Sequence, residues 1–142
     1  MKNILFIIAA LLSHNVNAEE LKLGDFTLSM SKDQVLAKKG KPVEKIEQAD
    51  LITDIFKYID MQFYFSGENL IGTYSETEGV CATNNICVGS KLSEASKAWG
   101  KSYFKSIQGK DYLEFYEPGE VSCWYRISGK EKIRSIEIAC QP

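Results

Sequence analysis

MSKDQVLAKKGK at 30–41 and SKLSEASKAWGK at 90–101 decide the fold, because each predicts a short helix that starts near a serine and ends at Gly-Lys. Alternating apolar segments with a glycine turn follow both, MQFYFSGENLIGTYS at 61–75 and VSCWYRISGKEKIRSIE at 121–137. We align Gly67 with Gly129 and Ile71 with Ile133. Few residues are identical, but the shared order of helix, strands and turns indicates an internal repeat.

Local signals set the bounds of these elements. Ser31 precedes the first helix with Gln34 three residues later, which is the pattern of a capping box. Gly40 and Pro42 end that helix, since glycine accepts the left-handed cap and proline disfavours helix in the residue before it. Ser90 is the predicted cap of the second helix. The predicted strands are about 43–49, 52–59, 61–66 and 70–76, then 103–107, 111–117, 121–127 and 132–140.

Alternation within the strands predicts which side of the sheet is buried. The fold class is therefore predicted as α+β: two tandem helix-plus-antiparallel-sheet repeats, about 24–78 and 84–140, form one long curved sheet with helices on one face. The residues expected to face the helices are Met61, Phe63, Phe65, Leu113, Phe115, Val121, Cys123, Tyr125, Ile127, Ile136, Ile138 and Cys140.

The first residues predict an export signal. Lys2 precedes the apolar run 4–12, and Val16-Asn17-Ala18 offers small residues for signal peptidase. Cleavage near Ala18 would leave 19–142 as a single domain, periplasmic or secreted. The apolar run is too short for a stable membrane anchor, and no cysteine at the predicted cut offers a bacterial lipid-attachment site.

Composition excludes several function classes. The chain has 17 basic and 19 acidic side chains without a Lys/Arg block, which argues against nucleic acid or anionic lipid as a partner. Its one histidine, His14, lies in the predicted signal, so the mature chain lacks the usual side chain for acid-base catalysis and metal binding. We therefore expect no metal and no cofactor.

Four cysteines in an exported chain predict disulfides. Cys81, Cys87, Cys123 and Cys140 allow three pairings. We prefer 81 with 87, closing a tight loop, and 123 with 140, joining the last two strands. Each bond would contribute about 2–4 kcal/mol by restricting the unfolded chain. The absence of C-x-x-C spacing disfavours a redox site.

The sheet face away from the helices is the candidate site. Aromatic and arginine side chains are enriched at protein-binding surfaces, because they bury much area and keep a polar tip. The alternative is that β-strands favour aromatic residues anyway and that these rings only pack across strands. The predicted partner-binding residues are Tyr64, Tyr112, Glu114, Tyr116, Trp124 and Arg126.

Two stretches carry a family resemblance. SKDQVLAKKGKP at 31–42, followed by a strand pair with a glycine turn, resembles the repeat of the SmpA/OmlA (BamE-like) outer-membrane assembly lipoproteins. VGSKLSEA at 88–95, continuing to Trp99-Gly100, has the same helix entry and stop. Two such units with disulfides resemble the secreted beta-lactamase inhibitory proteins. The resemblance implies a protein-binding protein that grips an enzyme with its double sheet, or an envelope scaffold.

The sequence is compatible with several functions. The leading hypothesis is a soluble inhibitor or immunity protein that occludes an enzyme or toxin, and the alternative is a structural or assembly factor of the bacterial envelope. A glycosidase-like enzyme using Glu114, Glu117 and Glu120 is less favoured, because 117–120 is typical of a turn with solvated carboxylates. We therefore expect no enzymatic activity, while a small-ligand carrier is also possible.

Overall fold

A computed structural model describes residues 20–116 and 122–141. The predicted signal peptide 1–18 and its cleavage site lie outside these residues, as do Glu117, Glu120 and Val121.

The described part contains two helices, ten strands and a 3₁₀ turn at Thr83–Asn85. The helices are α1 (Lys32–Lys39) and α2 (Leu92–Trp99). The strands of the first half are β1 (Lys22–Leu23), β2 (Phe26–Thr27), β3 (Glu44–Glu47), β4 (Asp54–Lys57), β5 (Gln62–Ser66) and β6 (Asn69–Ser75). Those of the second half are β7 (Tyr103–Ile107), β8 (Lys110–Tyr116), β9 (Cys123–Gly129) and β10 (Ile133–Cys140).

The helix caps confirm one prediction and correct another. Ser31 Oγ accepts a hydrogen bond from Gln34 N at 3.2 Å, and Gln34 Oε1 accepts one from Ser31 N at 2.8 Å. Ser90 is not the cap of α2, because its hydroxyl instead accepts a hydrogen bond from Cys87 N at 3.0 Å. The carboxylate of Glu94 performs part of the capping by accepting from the backbone N–H three residues earlier, also at 3.0 Å.

One antiparallel sheet joins the two halves. Its strand order is β3-β4-β5-β6-β10-β9-β8-β7, and β1 and β2 form a separate hairpin. Each half is a helix followed by a four-stranded meander, and the two meanders meet only where β6 pairs with β10. The α+β prediction is confirmed.

The junction between the halves has pseudo-two-fold symmetry. Tyr74 of β6 pairs with Glu137 of β10, flanked by the pairs Thr73–Ile138 and Ser75–Ile136. On each side of this junction, the register of the next strand pair, β5–β6 or β9–β10, shifts by one residue. The shift leaves one residue of β6 and one residue of β10 without a paired residue, at equivalent positions. Isologous contact of this kind is how two identical copies pair about a two-fold axis.

The skipped residues correct the alignment of the repeats. The shift passes over Ile71 between the pairs Phe65–Leu70 and Tyr64–Gly72. In the second half it passes over Arg134 between the pairs Gly129–Ile133 and Ser128–Ser135. Ile71 therefore corresponds to Arg134, and not to Ile133 as predicted, while Tyr64 corresponds to Ser128. The β9–β10 turn is also shorter than the β5–β6 turn, so Gly129 does not correspond to Gly67.

Each helix is anchored to the last turn of its own half by the same bond. The backbone N–H of Lys32, the first residue of α1, donates to the carbonyl of Glu68 at 3.0 Å. That of Leu92, the first residue of α2, donates to the carbonyl of Glu131 at 2.9 Å. These bonds satisfy N–H groups that a helix leaves unpaired at its start. Both helices thereby lie on one side of the sheet, which we call the helix face.

The helix face is apolar, as predicted. One row of paired residues crosses six strands as Phe56, Phe63, Thr73, Ile138, Tyr125 and Phe115. Val35 of α1 is fully buried in the same core, and Trp99 of α2 stacks on Tyr125 with ring centroids 4.4 Å apart. The predicted inward residues Met61, Phe63, Phe65, Phe115, Tyr125, Ile127, Ile136 and Ile138 are buried.

Both preferred disulfides are present. Cys81–Cys87 closes the connector between the halves, and Cys123–Cys140 joins β9 to β10 at a directly paired position. The connector and the β1–β2 hairpin are linked to the sheet by the buried hydroxyl of Tyr125. That hydroxyl donates to the carbonyl of Lys22 at 2.8 Å and accepts from the N–H of Lys22 at 3.0 Å and of Thr83 at 3.4 Å.

We expect Tyr125→Phe to lower the free energy of unfolding by about 1–2 kcal/mol, because backbone groups of Lys22 and Thr83 lose their shared partner while the ring stack on Trp99 stays. Urea unfolding followed by tryptophan fluorescence measures this. Tyr58→Phe is the control, since it removes an exposed hydroxyl bond to the Gly40 carbonyl and should cost much less. Equal losses would show that the Tyr125 hydroxyl does not hold the hairpin and connector.

Candidate functional site

The sheet side opposite the helix face, which we call the open face, is polar and aromatic. One row of directly paired residues crosses all eight strands on this side. In strand order it consists of Glu44, Lys57, Gln62, Tyr74, Glu137, Arg126, Glu114 and Tyr103. The Tyr74–Glu137 pair at the junction of the halves is its midpoint.

A charge network occupies the second half of this row. Arg126 donates to Glu114 Oε1 through Nε at 3.0 Å and through Nη2 at 2.8 Å, and to Glu137 Oε2 through Nη1 at 3.2 Å. Tyr116 donates its hydroxyl to the other oxygen of Glu114 at 2.7 Å. One guanidinium thus joins two carboxylates across β8, β9 and β10, with geometry that restricts all three side chains.

The two glutamates of the network differ electrostatically. Burial alone would raise the pKa of the Glu114 carboxyl, but the hydrogen bonds from Tyr116 and Arg126 outweigh it and lower that pKa. Burial dominates at Glu137 and raises its pKa, although Arg126 opposes the shift. The network therefore holds Glu114 as a carboxylate more firmly than Glu137.

Aromatic rings surround the network. The Arg126 guanidinium lies 5.8 Å from the Tyr112 ring centroid and 6.0 Å from that of Trp124, within cation–π distance. Tyr116 contacts Trp124 at 5.2 Å and Tyr103 at 5.5 Å between ring centroids. The part of the open face contributed by β7, β8 and β9 is therefore an aromatic cluster built around a neutralised arginine.

The six predicted site residues all belong to the open face, but they are not equally accessible. Tyr112, Tyr116 and Arg126 are half-buried and lie together. Tyr64 is half-buried on β5, separated from β9 by two strands. Glu114 and Trp124 were expected to be exposed, and this is wrong: they are 3% and 8% exposed.

The burial of Glu114 and Trp124 has a structural cause. Arg126 and the Tyr116 hydroxyl both bind the Glu114 carboxylate, and the Tyr116 ring packs against the Trp124 indole. Trp124 Nε1 is buried without a hydrogen-bond partner among the described residues. These two side chains lie below the surface of the open face, and the half-buried aromatic rings are the part of it that a partner can contact.

Two aromatic residues of the open face were not among the predicted site residues. Tyr103, which the sequence leaves undecided together with Phe104 because one of the two should point outward, is 50% exposed and joins the cluster through Tyr116. No residue of its strand β7 is buried, so burial does not distinguish the two sides of that strand. Tyr74 was missed because the skipped Ile71 interrupts the alternation of β6. Burial, with the hydrogen bond to Glu76, raises the Tyr74 pKa to about 12, so this phenol remains protonated at neutral pH.

A groove of about 1110 Å³ lies where the ends of β6, β8, β9 and β10 meet the turn 129–132. Four of its lining residues, Tyr74, Tyr112, Ser128 and Ser135, belong to the open face. Ser128 and Ser135 are directly paired, and their hydroxyls are hydrogen-bonded to each other. The basic side chains that line it, which include Lys110, Lys130, Lys132 and Arg134, were not singled out by sequence reasoning.

The described residues contain no group of three or more histidine, cysteine or acidic side chains placed to bind a metal ion. Among the helices of the described ranges, none has the length and apolar character needed to cross a membrane.

Comparison with known proteins gives a fold likeness. No protein-family model and no curated protein matches the chain. An extracellular protein containing an SCP domain, from Bacillus anthracis str. Ames, has a similar structure, with a TM-score of 0.58 and 16% identity. The match covers 83% of this chain and 46% of that one, so this chain spans less than half the length of its structural neighbour. At this identity the likeness concerns the fold alone.

The different environments of Glu114 and Glu137 predict that their contributions to the free energy of unfolding change with pH in opposite directions. Because the pKa of Glu114 is lower in the folded state, its stabilisation is present at neutral pH and is lost as the pH falls through that folded value. We expect Glu114→Gln to lower the free energy of unfolding by about 2 kcal/mol at neutral pH, with the difference from wild type shrinking as the pH is lowered into the acid range where this carboxyl becomes protonated.

Glu137→Gln is the matched control on the same arginine. Because the pKa of Glu137 is raised, the folded state favours the protonated carboxyl. The stability that this group contributes is therefore present in acid and is lost as the pH rises through its pKa in the folded state. Replacing Glu137 by glutamine should cost little or nothing at neutral pH. Urea midpoints across this pH range measure both effects, and equal losses in the two variants would contradict the assignment.

Proposed function

We propose that this chain is a secreted or periplasmic protein that binds another protein through its open face and blocks a target enzyme or toxin, as an inhibitor or immunity protein does. The observation that carries the proposal is the aromatic cluster of β7, β8 and β9, arranged around Arg126 on the sheet side away from both helices. Such a surface buries a large area on contact and loses little side-chain freedom.

The charge network supports binding and not catalysis. Glu114 and Glu137 share one guanidinium and lie in the same row, on β8 and β10 on either side of β9, so both carboxylates are engaged by Arg126 and neither is positioned as a free acid or base. Arg126 is neutralised within the molecule, so it orients Tyr112 and Trp124 without adding an unpaired charge to the contact. The proposed mechanism is steric occlusion of the partner's active site by a preorganised surface.

Exported location rests on three observations. Residues 1–18 have the pattern of a cleaved signal. Both cysteine pairs are disulfide-bonded, which suits an oxidising compartment. The Bacillus anthracis protein of similar fold is described as extracellular. We propose a protein partner, with no nucleic acid, no cofactor and no stable membrane anchor.

Site-specific photo-crosslinking in the native host tests the proposal. A photoreactive phenylalanine replaces Tyr103 or Gln62 on the open face, and in control variants it replaces Lys38 of α1 or Lys97 of α2. Illumination should produce a covalent adduct of one discrete mass only from the open-face positions, because the helices face away from the partner. Mass spectrometry then identifies the partner.

The identified partner separates the possible functions. An inhibitor or immunity protein should abolish the partner's enzymatic or toxic activity at an equimolar ratio. An adduct with an outer-membrane protein whose activity is unchanged would instead indicate an assembly factor. Adducts of equal yield from Lys38 and Lys97 would overturn the assignment of the open face.

A further inference from the structure

We propose that the groove at the end of the second half binds an acidic, extended segment of the protein partner. The inference rests on the proposed function and adds the chemistry of the contact. The groove is continuous with the open face, since Tyr74 and Tyr112 belong to both. It would receive a part of the partner that extends beyond the aromatic cluster.

The groove concentrates unpaired positive charge. Lys110, Lys130, Lys132 and Arg134 line it, and within the described ranges none of them has a carboxylate oxygen within 4.0 Å. In the first half, by contrast, the lysines at 32, 39, 45 and 57 all form ion pairs. Unpaired cations around one groove favour a ligand that brings its own carboxylates.

Acidic residues only partly offset this charge. Glu76, Asp111 and Glu131 also line the groove, and Glu76 accepts a hydrogen bond from the Tyr74 hydroxyl at 3.0 Å. Four cationic and three acidic side chains leave the groove net positive, whereas the chain as a whole has a formal net charge of −2. Its sign is therefore opposite to that of the molecule, and it would attract acidic residues locally.

The internal repeat provides a built-in comparison. The two halves can be aligned on their register shifts, at Ile71 and Arg134. In this alignment Thr53 corresponds to Lys110, and Asn69 corresponds to Lys132. The corresponding corner of the first half therefore has no cation at these three positions. The charge is a property of one half, and not a requirement of the shared fold.

Shape differs between the halves in the same way. In the first half the Tyr64 ring lies against Gly72, where an added Cβ would stand 3.2 Å from Tyr64 Cδ2. The equivalent pair in the second half is Ser128 and Ser135, so no ring fills that place. The groove is open where the equivalent place in the first half is filled. One O–H of the Ser128–Ser135 pair is used in the bond between them, and the other can donate a hydrogen bond to a peptide backbone.

A peptide titration tests the inference without knowledge of the partner. The probe is a fluorescein-labelled Glu-Asp-Trp-Asp-Glu peptide, and its Lys-Lys-Trp-Lys-Lys counterpart is the charge control. Fluorescence anisotropy should show binding of the acidic peptide alone, weakening as salt is raised. Amide NMR shifts should be confined to residues near Lys110, Lys132 and Ser135.

Two variants convert the groove to its first-half counterpart. Lys110→Thr with Lys132→Asn removes two cations that would form exposed ion pairs with the peptide, and should weaken peptide binding about fivefold. Ser128→Tyr with Ser135→Gly rebuilds the ring-on-glycine pair and should abolish the localised shifts by filling the groove. The matched control, Lys41→Asn with Lys97→Thr, makes the same change in net charge at exposed sites elsewhere and should bind as wild type does. Circular dichroism verifies that every variant folds.

Defined results overturn the inference. Equal weakening in the Lys41/Lys97 control would show a general charge effect, and equally tight binding of polygalacturonate would show that the groove is not selective for polypeptide. No binding of the acidic peptide would also overturn it, even if photo-crosslinking from Tyr103 succeeded. That combination would leave the proposed function standing, so the two failures are distinguishable.

Discussion

The pairing of β6 with β10 is the interaction on which the rest of the structure depends. It converts two four-stranded meanders into one sheet and brings the apolar residues of both halves into a single core. Since Tyr74 and Glu137 lie at its centre and the flanking pairs are equivalent, the junction has the geometry of a two-fold dimer within one chain. Both helices can then cover one side, and the opposite side becomes a surface eight strands wide.

The open face is held rigid by its own interior contacts. Glu114 and Trp124 are buried beneath it, and Arg126 is fixed by two carboxylates and two rings. A partner that contacts Tyr112 or Tyr103 meets side chains that are already oriented, so less conformational entropy is lost on binding. Two halves with one topology thus differ in chemistry: the second has the aromatic cluster and the basic groove, and the first has ion-paired lysines.

Much of the fold could be predicted because local rules and tertiary packing agree. The capping box at Ser31, the glycine stops and the alternation of β5, β8 and β9 each indicate the element that forms. Prediction failed where a feature depends on partners distant in sequence. Ser90 lost its capping role to the turn around Cys87, and the bulges at Ile71 and Arg134 shifted the alignment of the repeats. Alternation places Trp124 on the correct face, but only the cross-strand contacts of Tyr116 show that it is buried. The groove joins residues from five strands and has no local pattern.

The position of the last strand has a consequence for biogenesis. β10 ends at Cys140, yet it lies in the middle of the sheet, between β6 and β9. The sheet therefore cannot be completed until residues 133–140 are available, and until then the edge of β6 has no paired strand. The Cys123–Cys140 disulfide joins directly paired positions of β9 and β10, so this bond fixes the same strand whose arrival completes the sheet, and oxidation and sheet completion are coupled in folding.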